Sequence, residues 1–172
     1  EKVFQDWFEE DNQRLLIIIR QTVIFGPGNR GNIYNLLNQI NSKKFLMIGK
    51  GENVKSICYV KNVASFISYC LKLTPGIHIF NYIDKPDLSM NELVFLTKET
   101  LNRSKRVLRI PKHAGLVIGK IVDIFSRLVG KSFNISFIRI KKFISNSEFD
   151  TCIPDKTDFK PPFELRDSLI ET

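Results

Sequence analysis

The segment Arg20-Gln-Thr-Val-Ile-Phe-Gly-Pro-Gly-Asn-Arg-Gly-Asn32 carries an apolar strand into a turn holding three glycines and a proline. Such a turn lets backbone amides approach a ligand, and Asn29, Arg30 and Asn32 supply amide and fork donors suited to phosphate or sugar hydroxyls. Ligands of open α/β sheets sit outside the carboxyl ends of strands, which is where this turn falls. Taken alone, the segment is more simply an ordinary strand-to-helix turn. A second segment, Lys55-Ser-Ile-Cys-Tyr-Val-Lys-Asn-Val-Ala64, sets a cation before a short strand that runs straight into a helix. Lysine can hold a phosphate as a point charge; the simpler reading is a side chain that stays in water. His78 falls in a strand and His113 in a loop, with no carboxylate or nucleophile at a spacing that suggests catalysis. Cys58, Cys70 and Cys152 have neither paired nor CxxC spacing, so neither a disulfide framework nor a zinc site is expected, and a reducing cytosol is the default compartment.

The elements that must position these residues alternate between extended and helical periods. Residues 1–10 place Val3, Phe4, Trp7 and Phe8 on one face of a helix with no start signal, and read as the end of a helix belonging to a longer chain. After a polar turn at 11–13, Leu15–Ile19 is a continuous β-branched run, the pattern of a strand buried on both faces of a parallel sheet, and it continues through Thr22–Phe25. A helix is predicted over 33–40 and a short strand over 45–48, closed by Gly49-Lys50-Gly51. Residues 56–60 are extended, and Asn62 is a candidate cap for a helix to Leu73 with Val63, Phe66, Ile67 and Cys70 inward. His78–Tyr82 reads as a strand, Ser89-Met-Asn-Glu92 as a capping box opening a helix to Leu101, and Val107–Ile110 as a strand. Over 114–129, Val117, Ile121, Ile124, Phe125 and Leu128 form a stripe that could bind a membrane surface but is expected to pack on the domain core, as is more common, with Lys120, Asp123 and Arg127 opposite. From Lys131 onward the chain reads as polar and loop-rich, with Pro154, Pro161 and Pro162. Strands alternating with helices make an α/β protein with some parallel sheet.

The 172 residues, 43% apolar, suffice for one ordinary core, and no apolar run approaches the ~20 residues that span a bilayer. The net charge of +8 is scattered, with small clusters at Arg103–Arg109 and Arg139–Lys142 and no aromatics interleaved, which argues against nucleic acid.

In order and spacing the two segments resemble the "RPxxVYGPG" and "RDYIHVxDLA" stretches of the extended short-chain dehydrogenases/reductases. Phe80–Asp87, Ser89–Leu93 and Asp158–Leu165, the last against a typical "LGWxPxxxLeeGL", extend the likeness over nearly the whole chain, in the manner of bacterial nucleotide-sugar epimerases and 4-reductases. The resemblance implies an α/β fold comprising the C-terminal part of a Rossmann-like parallel sheet and a small mixed α/β substrate-binding domain. Residues 1–27 would end the cofactor-binding domain and 28–172 would be mainly substrate-binding, with 56–101 returning partly to the sheet. Thr22, Val23 and Phe25 would lie by the nicotinamide of NAD or NADP. Asn32 would contact the nucleotide diphosphate, with Asn29 and Arg30 among the other substrate-binding residues; Phe45 and Met47 would lie against the base, and Lys55 and Arg139 would clamp the diphosphate. Gln21 stands where the family has proline, and Lys55 where it has arginine. The family's glycine-rich dinucleotide loop and its catalytic Tyr-x-x-x-Lys pair do not occur in the sequence, and Glu1 falls just after that pair's expected lysine, so no catalytic residue is assigned. The implied protein is a cytoplasmic NAD(P)-dependent epimerase of polysaccharide biosynthesis acting at C4 of a UDP-linked sugar, dimeric through its first helix. A 4-reductase or dehydratase is the alternative within the family, and a non-catalytic nucleotide-sugar or partner-binding module the alternative outside it.

Overall fold

The apolar run at Leu15 forms a strand, but one that is half-buried rather than sealed on both faces, with only Leu16 buried, and the chain changes strand neighbours at Thr22. The computed structural model describes residues 1–11, 13–102, 106–131, 133 and 136–172. Asn12 of the first expected turn, Arg103 of the basic cluster and the Pro154 side chain lie outside the described residues. In chain order the elements are α1 (Lys2–Glu9), β1 (Leu15–Gln21), β2 (Val23–Phe25), α2 (Asn32–Asn41), β3 (Leu46–Ile48), β4 (Val54–Lys55), β5 (Ile57–Tyr59) and α3 (Val60–Cys70). There follow β6 (Gly76–Tyr82), β7 (Leu88–Ser89), α4 (Met90–Thr100), β8 (Leu108–Ile110), α5 (Lys112–Val129), α6 (Phe137–Ile144), α7 (Ile153–Lys156) and α8 (Leu165–Ile170). They form two units, one from Glu1–Asn35, Ser56–Asp87 and Phe149–Thr172, the other from Leu36–Lys55 and Leu88–Glu148.

In the first unit β1 pairs in parallel with β6, from Leu15 opposite Gly76 to Gln21 opposite Tyr82, and β2 pairs in parallel with β5. At the break the Thr22 hydroxyl meets Cys58 Sγ at 3.1 Å. The core gathers Cys58, Val63, Phe66, Cys70, Phe80, Tyr82 and Ile153. Phe66 of α3 sits at its centre, with ring centroids 5.0–5.2 Å from Phe80, Tyr82 and Phe159. The helix begins at Val60, so Asn62 is not its cap; its N-cap is Tyr59, which makes no side-chain capping bond. Asn62 is buried because every polar atom of its amide is used. Nδ2 donates to Asp84 Oδ1 at 3.1 Å and to the Phe163 carbonyl at 2.9 Å, and Oδ1 accepts from the Phe163 amide at 3.0 Å.

In the second unit β3 pairs in parallel with β8 and β4 antiparallel with β7. The capping box forms as the sequence predicts: Ser89 Oγ accepts from Glu92 N at 3.2 Å, and the Glu92 carboxylate accepts from Ser89 N at 2.8 Å. Helix α5 departs from expectation. Its buried residues are Gly115 and Gly119, while Val117, Ile121, Ile124, Phe125 and Leu128 are 55–80% exposed. The glycines explain the reversal. A Cβ on Gly119 would lie 2.8 Å from Phe137 Cα, and one on Gly115 would lie 2.4 Å from Ile48 Cγ2. The bare glycine face thus lets α5 approach α6 and β3 closely, and Asp123 on that side accepts from Phe137 N at 3.1 Å. His113 lies in the first turn of α5 rather than in a loop.

The stretch after Lys131 is more ordered than its polarity predicts: it folds α6, α7 and α8 and sends Ile153 and Phe159 into the first unit's core. Helices of 8, 4 and 6 residues carry too few turns for an apolar period to register. Among the described residues, no helix is long and apolar enough to cross a membrane.

Candidate functional site

At the carboxyl end of β2 the chain turns through Gly26, whose φ of 145° and backbone position 2.4 Å from Val60 Cγ1, as a Cβ would meet it, leave room only for glycine. Asn29 braces the turn, its amide Nδ2 donating to the Ile24 carbonyl at 2.9 Å. Arg30 and Asn32 point their side chains to solvent. Val23 is exposed and Thr22 half-buried, whereas Phe25 is sealed in the core, 5.5 Å from the Tyr59 ring.

Beneath this turn lies a polar clip that the sequence did not point to. The buried Asp84 carboxylate accepts from Tyr59 N at 2.6 Å, from Asn62 Nδ2 at 3.1 Å and from the Tyr82 hydroxyl at 3.0 Å. It fixes the junction of β5 and α3 to the end of β6. Burial raises the Asp84 pKa, against the opposing pull of those three donors. The signal available in the sequence was an aspartate and an asparagine each following an apolar strand, which is too common to single out.

In the second unit an open cavity of about 630 Å³ is lined by residues 48–53, 109–112 and Ile144. Its wall is the Gly49-Lys50-Gly51 loop, and Arg109 holds that loop. The guanidinium donates to the Lys50 carbonyl at 2.6 Å and to Asn91 Oδ1 at 2.9 Å. Asn91 Nδ2 donates to the same carbonyl at 3.0 Å, and Asn91 N to the Gly51 carbonyl at 2.9 Å. Gly51, at φ 74°, could carry no side chain, because a Cβ would sit 2.3 Å from Asn91 Oδ1. Lys50, Arg109 and Lys112 stand against Glu52 alone in this lining, a balance that favours an anion. These cations were legible only as part of a scattered basic composition.

The sequence-predicted residues of this unit occupy different surroundings. Phe45 and Met47 are buried, Phe45 facing Phe143 with ring centroids 6.2 Å apart. Lys55 is not the water-borne lysine of the simpler reading. Its ammonium donates to the carbonyls of Lys142 at 3.0 Å and Ser145 at 2.6 Å and to Ser147 Oγ at 3.4 Å, closing the C-terminal end of α6, and burial lowers its pKa. Arg139 is exposed in the first turn of α6, its backbone N–H donating to Ser136 Oγ at 3.2 Å. The two proposed clamp residues therefore meet α6 at opposite ends. Helix α1 exposes Val3, Phe4 and Trp7, with the Arg14 guanidinium 4.5 Å above the Trp7 ring.

No family model matches the chain. The whole chain is 42% identical, over 174 aligned positions, to N-acetyl-alpha-D-glucosaminyl-diphospho-ditrans,octacis-undecaprenol 4-epimerase of Escherichia coli O157:H7, and spans 53% of that protein's length. The UDP-N-acetylglucosamine 4-epimerase structure of Bacillus cereus superposes with a TM-score of 0.69 at 13% identity, covering 99% of this chain and 51% of that one. The UDP-glucose 4-epimerase of Thermus thermophilus, in complex with NAD, superposes at 0.59 and 10% identity over 99% of this chain and 49% of that one. The chain spans about half the length of the relatives it matches. In sequence it is similar over its whole length to about half of the Escherichia coli epimerase, and in fold it matches about half of the solved epimerase and dehydratase structures.

Proposed function

We propose that this chain is the sugar-binding part of an NAD(P)-dependent 4-epimerase whose substrate is a hexosamine or hexose held through a diphosphate, in the assembly of a bacterial polysaccharide. The observation that carries the reading is the 42% identity, over the whole of this chain, to an epimerase of a diphosphate-linked N-acetylglucosamine. The same relative favours a polyprenyl diphosphate over UDP as the carrier, so the UDP-linked sugar expected from the sequence becomes the second substrate to test.

The residues present fit a nicotinamide cofactor in one respect. Val23 exposes an apolar side chain at the first residue of the short parallel strand β2, which leads into a turn whose Gly26 and Gly28, both at positive φ, leave backbone accessible. We assign Thr22 and Val23 to the cofactor, with Phe25 acting only by holding the strand end in place. NAD, when bound, supplies a hydride acceptor and donor. This chain's part is to orient the sugar and exclude water; the proton is moved by a group outside the 172 residues, which carry no Tyr-x-x-x-Lys.

For the substrate we assign contacts within each unit separately. In the first, Arg30 and Asn32 offer donors to an anion while Asn29 shapes their turn. In the second, Lys50 and Lys112 join Arg139 as cationic candidates for the diphosphate, with Lys55 acting by charge alone, since its three donors are committed to Lys142, Ser145 and Ser147, and Phe45 and Met47 act through their backbone, their side chains being buried. The dimer through α1 is likewise proposed on Val3, Phe4 and Trp7.

The test is epimerisation by the native protein of N-acetylglucosamine on a short-chain polyprenyl diphosphate and on UDP, for wild type, Lys112→Ala, Lys55→Ala and Arg139→Ala. Removing a cation that holds the diphosphate raises KM roughly tenfold to a hundredfold with kcat retained. Turnover of neither carrier overturns the reading; unchanged KM in all three variants keeps the activity and removes the assigned clamp.

A further inference from the structure

Among the described residues, helix α5 puts its apolar side chains where no core receives them. Val117, Ile121, Ile124, Phe125 and Leu128 repeat at helical spacing over three turns, and all are 55–80% exposed. Phe133, just past the helix, extends the patch by setting its ring 6.0 Å from that of Phe125. The packing side of the same helix is its Gly115 and Gly119 face, so rotating α5 to bury the stripe would drive side chains into Ile48 and the Phe137 backbone. The exposure is therefore built in by sequence and not a default of weak packing.

Charge accompanies the patch. Residues 112–142 hold seven Lys or Arg against the single acid Asp123, and Asp123 is turned inward to Phe137 N. This segment thus carries most of the chain's net charge of +8. Lys120 and Arg127, seven residues and therefore two turns apart, fall beside Ile124 along one edge of the apolar stripe, and not opposite it as expected from the sequence. Apolar side chains with cations along the edge suit the boundary between anionic headgroups and acyl chains, where lysine and arginine stems lie along apolar surface while their charges reach phosphate. A second copy of the chain fits less well, since pairing two such faces would bring two cationic surfaces together at close range.

We infer that the outer face of α5, continued by Phe133 and edged by Lys120 and Arg127, docks in the plane of an anionic lipid bilayer. The inference stands on this face whatever the enzyme's substrate. Joined to the lipid-carrier reading, it gives the enzyme a way to meet a sugar whose diphosphate lies at the membrane surface.

The experiment is sedimentation of the native protein with vesicles of phosphatidylglycerol and phosphatidylethanolamine, against vesicles of phosphatidylcholine alone, at low and high salt. Two double variants accompany it: Ile121→Asn with Leu128→Asn, and Lys120→Glu with Arg127→Glu. All four side chains lie at the surface, and thermal melting checks that each variant is folded. Wild type should sediment with the anionic vesicles, be released by salt, and bind phosphatidylcholine far less. Each double variant should lose at least about tenfold in partitioning, the glutamate variant because a basic residue near such a surface contributes about 1 kcal/mol and the asparagine variant because apolar area no longer enters the bilayer. Wild type remaining in the supernatant with anionic vesicles overturns the inference, as do folded variants that both sediment like wild type. A protein that ignores vesicles but falls from dimer to monomer in the asparagine variant has given this face to a second copy, which also overturns it. No sugar substrate enters this assay. Turnover of a detergent-dispersed short-chain substrate reads the catalytic proposal separately, so either can fail alone.

Discussion

Helices α3 and α5 carry the same kind of apolar stripe and put it to opposite use. In α3, Val63, Phe66 and Cys70 enter a core of aromatic rings, and the helix start is locked by Asn62 and Asp84. In α5 the buried positions are glycines and the stripe faces solvent. Periodicity states that a helix has two unlike faces. Which face is covered depends on what the neighbouring elements can accept, and at α5 the two glycines decide it. A glycine costs a helix interior roughly 0.5–1 kcal/mol relative to alanine, a cost that close packing on α6 and β3 offsets.

The sharpest way to break the comparison is to remove one large side chain from each stripe. Phe66→Ala should destabilise the chain by about 3–5 kcal/mol, because it empties the centre of a packed core. Ile121→Ala should change stability by no more than about 0.5 kcal/mol, as at an ordinary surface position. Denaturant unfolding of the two variants reads both, and equal losses would mean that α5 is covered as α3 is. Next in size is Gly119→Ala. On propensity alone it would stabilise a helix, but its methyl would press the Phe137 backbone, so a net loss of about 1–3 kcal/mol is expected. A gain in stability would show that the glycine face is not the packed one.

The polar lock on α3 gives a smaller effect. Asn62→Ala leaves the Phe163 amide and carbonyl without their partner, while Asp84 Oδ1 keeps only the Tyr82 hydroxyl, at a cost of about 1–3 kcal/mol. Asp84 also predicts a pH dependence. Burial raises its pKa in the folded chain, so just above the ordinary carboxylate range the folded chain holds a proton that the unfolded chain has released. Stability contributed by this group therefore falls as pH rises through that window, and Asp84→Asn should flatten the slope in melting curves taken across it. Smallest is Lys55→Ala, which frees the carbonyls of Lys142 and Ser145 near solvent and should cost about 1 kcal/mol.

Much of the architecture was legible before the structure. The strand at Leu15, the capping box at Ser89 and most of the inward face of α3 each rest on local rules, but Ile67, expected inward, is exposed, and the Leu15 strand is only half-buried. The strand break at Thr22 was not legible, because it reflects a change of partner from β6 to β5, and partners are a tertiary fact. The site was less legible than the fold. Gly26 and Asn29 sit in the turn their types require, yet Lys55, read as a cation available to a ligand, spends its hydrogen bonds on the end of a helix that the sequence did not reveal. Arg109, part of a basic cluster in the sequence, is a brace for the Gly49-Lys50-Gly51 loop.

Inversion at C4 of a diphosphate-linked sugar is the reaction on which the proposed function stands or falls. It is tested most directly by a proton NMR time course of the native protein with polyprenyl-diphosphate N-acetylglucosamine and catalytic NAD in deuterated water. Conversion toward the galacto epimer is expected, with the C4 hydrogen retained and no net reduced cofactor, because the hydride removed at C4 is returned there. Unchanged sugar, stoichiometric consumption of reduced cofactor as in a reductase, or loss of water from the ring as in a dehydratase would contradict it.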